Sequence, residues 1–264
     1  MTSSGAKSKI IFFGNGPLSE YALLVLENKC DVVFHAHTKE DLEEAVRLKK
    51  ENPEAIGVLA SFGVMVPSSV LEAFEPEGIL NIHPSLLPLY RGASPIESAI
   101  LNGDNEFSVS VMKLAPKMDA GPVYYQTTLS DLPLFKDTIY RALAEAGAKW
   151  ILGNLDSLPT PVAQDDTKAT FCGKLDKSMS YLTPETDTAE TTLRKIVAFA
   201  GYPKPKYQFF GKNCIILEAH ILGEGETALI PLPCADGATL SIDLLQPEGK
   251  KPMDAKSFLN GYGK

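Results

Sequence analysis

Tryptophan occurs once, histidine four times and cysteine four times in the 264 residues, and each scarcity closes off a class of protein. Cys30, Cys172, Cys214 and Cys234 stand far apart, with no Cys-x-x-Cys pair and no zinc-type spacing, which excludes a zinc ribbon and a disulfide scaffold. They are expected to be reduced thiols in a cytoplasmic protein. Long apolar runs are missing too. Ile10 to Phe13 is the only one near the start, far below the roughly 20 residues that a membrane helix needs, and it has no features of a cleavable targeting segment. A soluble protein without membrane attachment is expected. Basic excess is also missing: 25 Lys and Arg face 33 Asp and Glu, a formal charge of −8. The deficit lies mainly in residues 1–174, which carry 15 basic and 22 acidic groups against 10 and 11 in residues 175–264. That balance excludes a general nucleic-acid binder, although a local basic stripe can still neutralise a few phosphates.

At 44% hydrophobic the chain can bury one α/β core and a second, smaller one. Lys9 to Phe13 reads as a strand, Gly14-Asn15-Gly16-Pro17 as a turn and Leu18 to about Asn28 as a helix. Asp31 to Ala36 is a second strand, and Thr38 with Asp41 makes a capping box for a helix to about Lys50. Gly57 to Ser61 and Ile79 to His83 are further strands, separated by a helical turn expected to be capped through Ser69 and Glu72. After a helix near Ser94 to Leu101, Phe107 to Ala115 and Pro122 to Leu129 alternate as neighbouring strands. A helix over about Asp137 to Leu155 follows. The fold class expected is α/β: a Rossmann-like, mostly parallel sheet with helices on both faces. Beyond the polar run Gln164 to Lys168 and a helix from about Thr188 to Ala200, short apolar runs broken by Gly and Pro predict a small β-barrel. The expected division is residues 1–175, a connection over 176–204 and the small β domain over 205–264.

Chemistry concentrates in Asn81-Ile82-His83-Pro84-Ser85-Leu86-Leu87-Pro88-Leu89-Tyr90-Arg91-Gly92. Strand alternation puts Asn81 and His83 on one face, at the carboxyl end where open α/β sheets bind ligands. Either they cap the following loop through backbone hydrogen bonds, or they form a site in which an amide holds an oxyanion and an imidazole moves a proton. Asp119, in a tight loop before Gly121, is either a turn former or their third partner.

Together, Asn81-x-His83-x-Ser85-Leu86-Leu87-Pro88, Arg91-Gly92-x-x-Pro95-Ile96 and Met118-Asp119-x-Gly121 resemble the signature of the folate-dependent formyltransferases. Ser61-Phe62-Gly63-Val64-Met65-Val66-Pro67 is similar to that family's pterin-lining loop. The continuation after Tyr90 and the C-terminal extension resemble the branch that formylates methionyl-tRNA. The resemblance implies a catalytic trio of Asn81, His83 and Asp119. It also implies a 10-formyltetrahydrofolate pocket from Val64, Met65, Val66, Ser85, Leu86, Leu87, Pro88, Lys117 and Met118, with no metal. Arg91 and Gly92 would face the acceptor, the acceptor stem of initiator methionyl-tRNA. An OB-type barrel would grip that tRNA through Lys204, Lys206, Lys212, Lys250 and Lys251, and no obligate protein partner is implied.

Two stretches depart from the family. The long basic loop that normally follows the second strand is absent, and Lys174 to Tyr181 lacks the usual acidic and Trp-containing pattern. A glycinamide ribonucleotide or a sugar-nucleotide amine therefore stays open as acceptor, as does a folate- or tRNA-binding module without turnover. Gly14-Asn15-Gly16-Pro17 is a poor phosphate loop because Pro17 removes an amide donor. His35 and His37 lack further ligands that would make a metal site.

Overall fold

The computed structural model describes residues 7–263, and the chain divides into two compact units. The first comprises the residues up to Ile96 with Asn105–Gly173; the second comprises Glu97–Asp104 with the residues from Lys174 onward.

The first unit contains β1 (Lys9–Phe13), α1 (Pro17–Glu27), β2 (Asp31–Ala36), α2 (Leu42–Glu51), β3 (Ile56–Leu59), α3 (Ser68–Ala73), β4 (Ile79–His83) and β5 (Arg91–Gly92). After α4 (Pro95–Asn102), which the unit boundary crosses, come β6 (Phe107–Lys113), β7 (Val123–Leu129), α5 (Lys136–Asn154) and β8 (Phe171–Cys172). Six strands form one sheet in the order β2-β1-β3-β4-β6-β7. The β1–β2, β1–β3 and β3–β4 ladders are parallel, and β6 and β7 are added antiparallel. Thr38 and Asp41 form the anticipated capping box, but on a short 3-10 turn that leads into α2. The turn at α3 differs from expectation: Pro67 occupies its N-cap and no side chain caps it. β3 ends before Ser61 because that residue turns to a left-handed φ of 51°.

Helices cover both faces. Ile79 packs with α2 and α3 side chains such as Ala45, Val70 and Leu71. On the reverse face α5 closes on Ile82, where a Cβ on Gly147 would lie 2.7 Å from Ile82 Cγ2. Strand alternation therefore turns Asn81 and His83 to the α2/α3 face, at the carboxyl end of β4.

The second unit contains α6 (Ala189–Phe199), β9 (Lys206–Phe209), β10 (Lys212–Ile221), β11 (Pro231–Pro233), β12 (Thr239–Pro247), β13 (Met253–Asp254) and α7 (Ala255–Tyr262). Its antiparallel sheet runs β11-β12-β10-β9, with β13 paired to β12. Ile196 of α6 and Phe258 of α7 share a core with Ile216, Leu232, Leu240 and Leu245. Helix α7 falls in the stretch expected to hold only β structure. Its signs were present: Asp254 caps it by accepting from Ser257 N at 2.7 Å, and Ala255, Phe258, Leu259 and Tyr262 follow helical spacing. Among the described residues no helix is long and apolar enough to cross a membrane.

Candidate active site

Residues 83–92 leave the sheet as a loop stitched by its own side chains. Ser85 Oγ donates to Leu89 O (2.6 Å), and Ser110 Oγ on neighbouring β6 donates to Ser85 O (2.6 Å) while accepting from Leu87 N (3.1 Å). Gln126 on β7 adds a donor to Leu87 O at 2.8 Å. Tyr90 takes a left-handed φ of 55° and its N–H reaches Thr170 Oγ1 at 2.8 Å. The two-residue pairing of β5 with β8 then fixes Arg91 and Gly92. Gly92 has to be glycine, because a Cβ there would sit 2.0 Å from Cys172 O.

Asn81 and His83 are each only 5% exposed. His83 Nε2 lies 3.1 Å from Tyr90 O, and Nδ1 lies 3.7 Å from Asp119 Oδ1, longer than a hydrogen bond. The other Asp119 oxygen accepts from Gly92 N at 2.8 Å. Asp119 therefore couples the His83 strand to the Arg91-Gly92 strand, and its own backbone is left-handed with φ 49°. Asn81 differs. Its side-chain amide engages no described residue, although the residue is buried. Neither amide atom is sealed from solvent, since the enclosed side-chain polar atoms without a partner are Ser19 Oγ and Arg91 Nη1, so the amide is free to bond an incoming group.

Met65, Leu86 and Met118, all in loops that follow or neighbour the carboxyl ends of β3, β4 and β6, are 58%, 39% and 50% exposed, while Val66 and Leu87 beside them in sequence are buried. Val64 and Pro88 are half-buried, and Lys117 is exposed with its Nζ on Asp166 Oδ2 at 2.7 Å.

Arg91, expected to face the acceptor, is 1% exposed instead. Its guanidinium donates to Gln164 Oε1 from Nε (3.1 Å) and Nη2 (2.7 Å), and Nη2 also meets Asp166 Oδ1 at 2.7 Å. Gln164 Nε2 in turn donates to Asp119 O (2.8 Å) and Gly121 O (2.7 Å). Gln164, Asp166, Thr170, Ser110 and Gln126 join the site through contacts that no sequence motif marks. The segment from Gln164 to Lys168 is legible in the sequence only as a polar connection.

The five lysines of the second unit fall into two groups. Lys212, Lys250 and Lys251 share one end of the sheet, where Glu248 N donates to Asn213 O at 3.0 Å and joins the two turns that carry them. Lys204 and Lys206 stand at the other end of β9, with Lys206 Nζ 5.7 Å from the Tyr181 ring. Burial pushes the thiols of Cys30, Cys214 and Cys234 up, so they stay protonated at neutral pH. Among the described residues no group of three or more His, Cys, Asp or Glu side chains could hold a metal ion.

An α/β sheet with helices on both faces brings an amide and an imidazole at the end of β4 toward a carboxylate in the β6–β7 loop, a set of groups able to polarise a carbonyl and to move a proton. Comparison with known proteins supplies the family. Residues 18–155 match the formyl transferase family and residues 174–263 its C-terminal domain, so the chain belongs to the formyl transferases. A methionyl-tRNA formyltransferase of Dehalococcoides mccartyi is 37% identical over 255 residues, which cover 90% of this chain and 80% of the relative. Among solved structures, a variant of HypX from Aquifex aeolicus superposes with a TM-score of 0.77 at 20% identity, over 97% of this chain. The chain spans 48% of that HypX, about half its length. The methionyl-tRNA formyltransferase of Clostridium thermocellum superposes with a TM-score of 0.64 at 17% identity, over 94% of this chain and 99% of its own. At such identities the superpositions establish the fold alone.

Proposed function

We propose that this enzyme transfers the formyl group of 10-formyltetrahydrofolate to the amino group of methionyl-tRNA. The observation that carries the reading is the amide of the largely buried Asn81, engaged by no described residue, two residues along the strand from a His83 that faces Asp119. At ~3.3 Å per residue the two Cα atoms lie about 7 Å apart, enough to bracket one carbonyl group. The amine nitrogen attacks the formyl carbon, and Asn81 Nδ2 donates to the oxygen as negative charge develops on it. His83 relays the proton lost by the amine to folate N10, whose bond to the formyl carbon then breaks. Asp119 orients the imidazole, and Met65, Leu86 and Met118 receive the pterin.

The acceptor rests on kinship with curated methionyl-tRNA formyltransferases, of which this chain covers most of the length. The fold alone does not discriminate, since a sugar 3N-formyltransferase superposes with a TM-score of 0.65 at 16% identity. The test supplies purified enzyme and 10-formyltetrahydrofolate with methionyl-tRNA, glycinamide ribonucleotide and an amino-sugar nucleotide in parallel. Methionyl-tRNA is expected to be formylated with a kcat/KM at least about 100-fold above the others, a gap that two or more lost contacts produce. Preference for either small amine would overturn the acceptor and leave the chemistry standing.

A further inference from the structure

We propose that Gln164 is a positioning residue for the formyl transfer: its carboxamide holds the Asp119 loop in the conformation that faces His83. The inference rests on the catalytic reading of Asn81, His83 and Asp119 given above. Gln164 lies 45 residues beyond Asp119 in sequence, yet both ends of its amide are committed to that loop or to the group behind it. The nitrogen donates to Asp119 O (2.8 Å) and to Gly121 O (2.7 Å), satisfying the two carbonyls that bracket Ala120. The oxygen accepts twice from the buried guanidinium of Arg91. A guanidinium can only donate, so Arg91 forces the amide oxygen toward itself and its NH2 group toward the loop.

The loop needs such a brace. Asp119 has φ 49°, a left-handed conformation that an L-residue holds only when its surroundings impose it. Gly121 is pressed against the chain, since a Cβ there would lie 1.9 Å from Lys113 O. Two residues along the same segment, Asp166 accepts from Arg91 Nη2 and from Lys117 Nζ, both at 2.7 Å, and so ties down the start of the loop. Residues 164–166 therefore grip the loop at Lys117, Asp119 and Gly121, while the Asp119 carboxylate is left to Gly92 N–H and His83.

A one-atom change tests this. Gln164→Glu keeps the shape and the attraction to Arg91 but points a carboxylate oxygen at the two loop carbonyls. The expected result is a kcat reduced about 10- to 100-fold, with KM for both substrates within about threefold of wild type. Gln164→Ala, which adds no charge, is measured alongside and should show the same split if the glutamate variant fails to fold. The deciding comparison repeats the substitution on Asp119→Ala. If Gln164 acts through Asp119, its loss there costs less than about twofold, because the group it positions is already gone. Equal losses in both backgrounds, or a wild-type kcat in the Gln164 variants while Asp119→Ala is slow, would overturn the proposal and spare the catalytic reading. A wild-type rate in Asp119→Ala itself would sink that reading instead.

Discussion

At the scale of single residues, the site combines one side chain held in reserve with several that are fully engaged. Asn81 is the reserve; Ser85, Ser110, Gln126 and Thr170 are engaged in shaping the loop around it. Asp166 belongs to the engaged set. Hydrogen bonds from Lys117 and Arg91 hold its carboxyl below the usual carboxylate range. A group with a depressed folded pKa contributes above its unfolded value, about 3.9, and is lost only as pH falls through the lower folded value. Asp166→Asn should therefore slow catalysis by one constant factor at every pH from 6 to 9; a loss that grows or shrinks across that window in the pH–rate profile contradicts this role. Asn81, His83 and Asp119 could be located from strand alternation and family resemblance. Gln164 could not, because its partners lie far away in sequence and a polar residue between Pro161 and a run of Asp residues reads as surface. The burial of Arg91 escaped the sequence for the same reason: a lone arginine beside glycine carries no sign of a carboxamide 73 residues on and of the carboxylate just beyond it.

Elements were more legible than contacts. The strands β1 and β4 fall where apolar runs end at Gly14 and Pro84, β2 fills Asp31–Ala36 ahead of the Thr38 cap, and α5 agrees within a residue at each end. Two-residue β5 and β8 had no such sign, since their pairing depends on tertiary approach of Arg91-Gly92 to Phe171-Cys172. Packing between α5 and β4 depends on Gly147: Gly147→Ala should overpack Ile82 and lower stability by about 1–3 kcal/mol in urea unfolding, and an unchanged midpoint would show that the contact is loose. On the second sheet, His220 on β10 faces Asp243 on β12 at 2.7 Å, and that hydrogen bond raises the imidazole above its usual value. A raised His stabilises fully below its unfolded pKa, about 6.5, and loses the contribution as pH rises through the folded value. The Tm gap between wild type and Asp243→Asn should be wider at pH 5.5 than at pH 8.5. A gap that is flat or widens with pH would contradict the pairing.

For the whole molecule the tension is electrostatic: a chain of formal charge −8 is proposed to bind an RNA. The lysines of the second unit resolve it only in part, because they divide between the two ends of β9 instead of forming one stripe. Few phosphate contacts follow, and so a shallow salt dependence. Replacing Lys212, Lys250 and Lys251 together by alanine should reduce the slope of log affinity for tRNA against log salt by about 2–3; an unchanged slope would remove that end of the sheet from the interface. The chemistry is tested more directly by single-turnover formylation of methionyl-tRNA with Asn81→Ala. A rate lower by about 10² to 10³, with folate affinity preserved, is what an unpartnered amide waiting for an oxyanion requires. Formylation at the wild-type rate would mean that this amide stabilises nothing in the reaction.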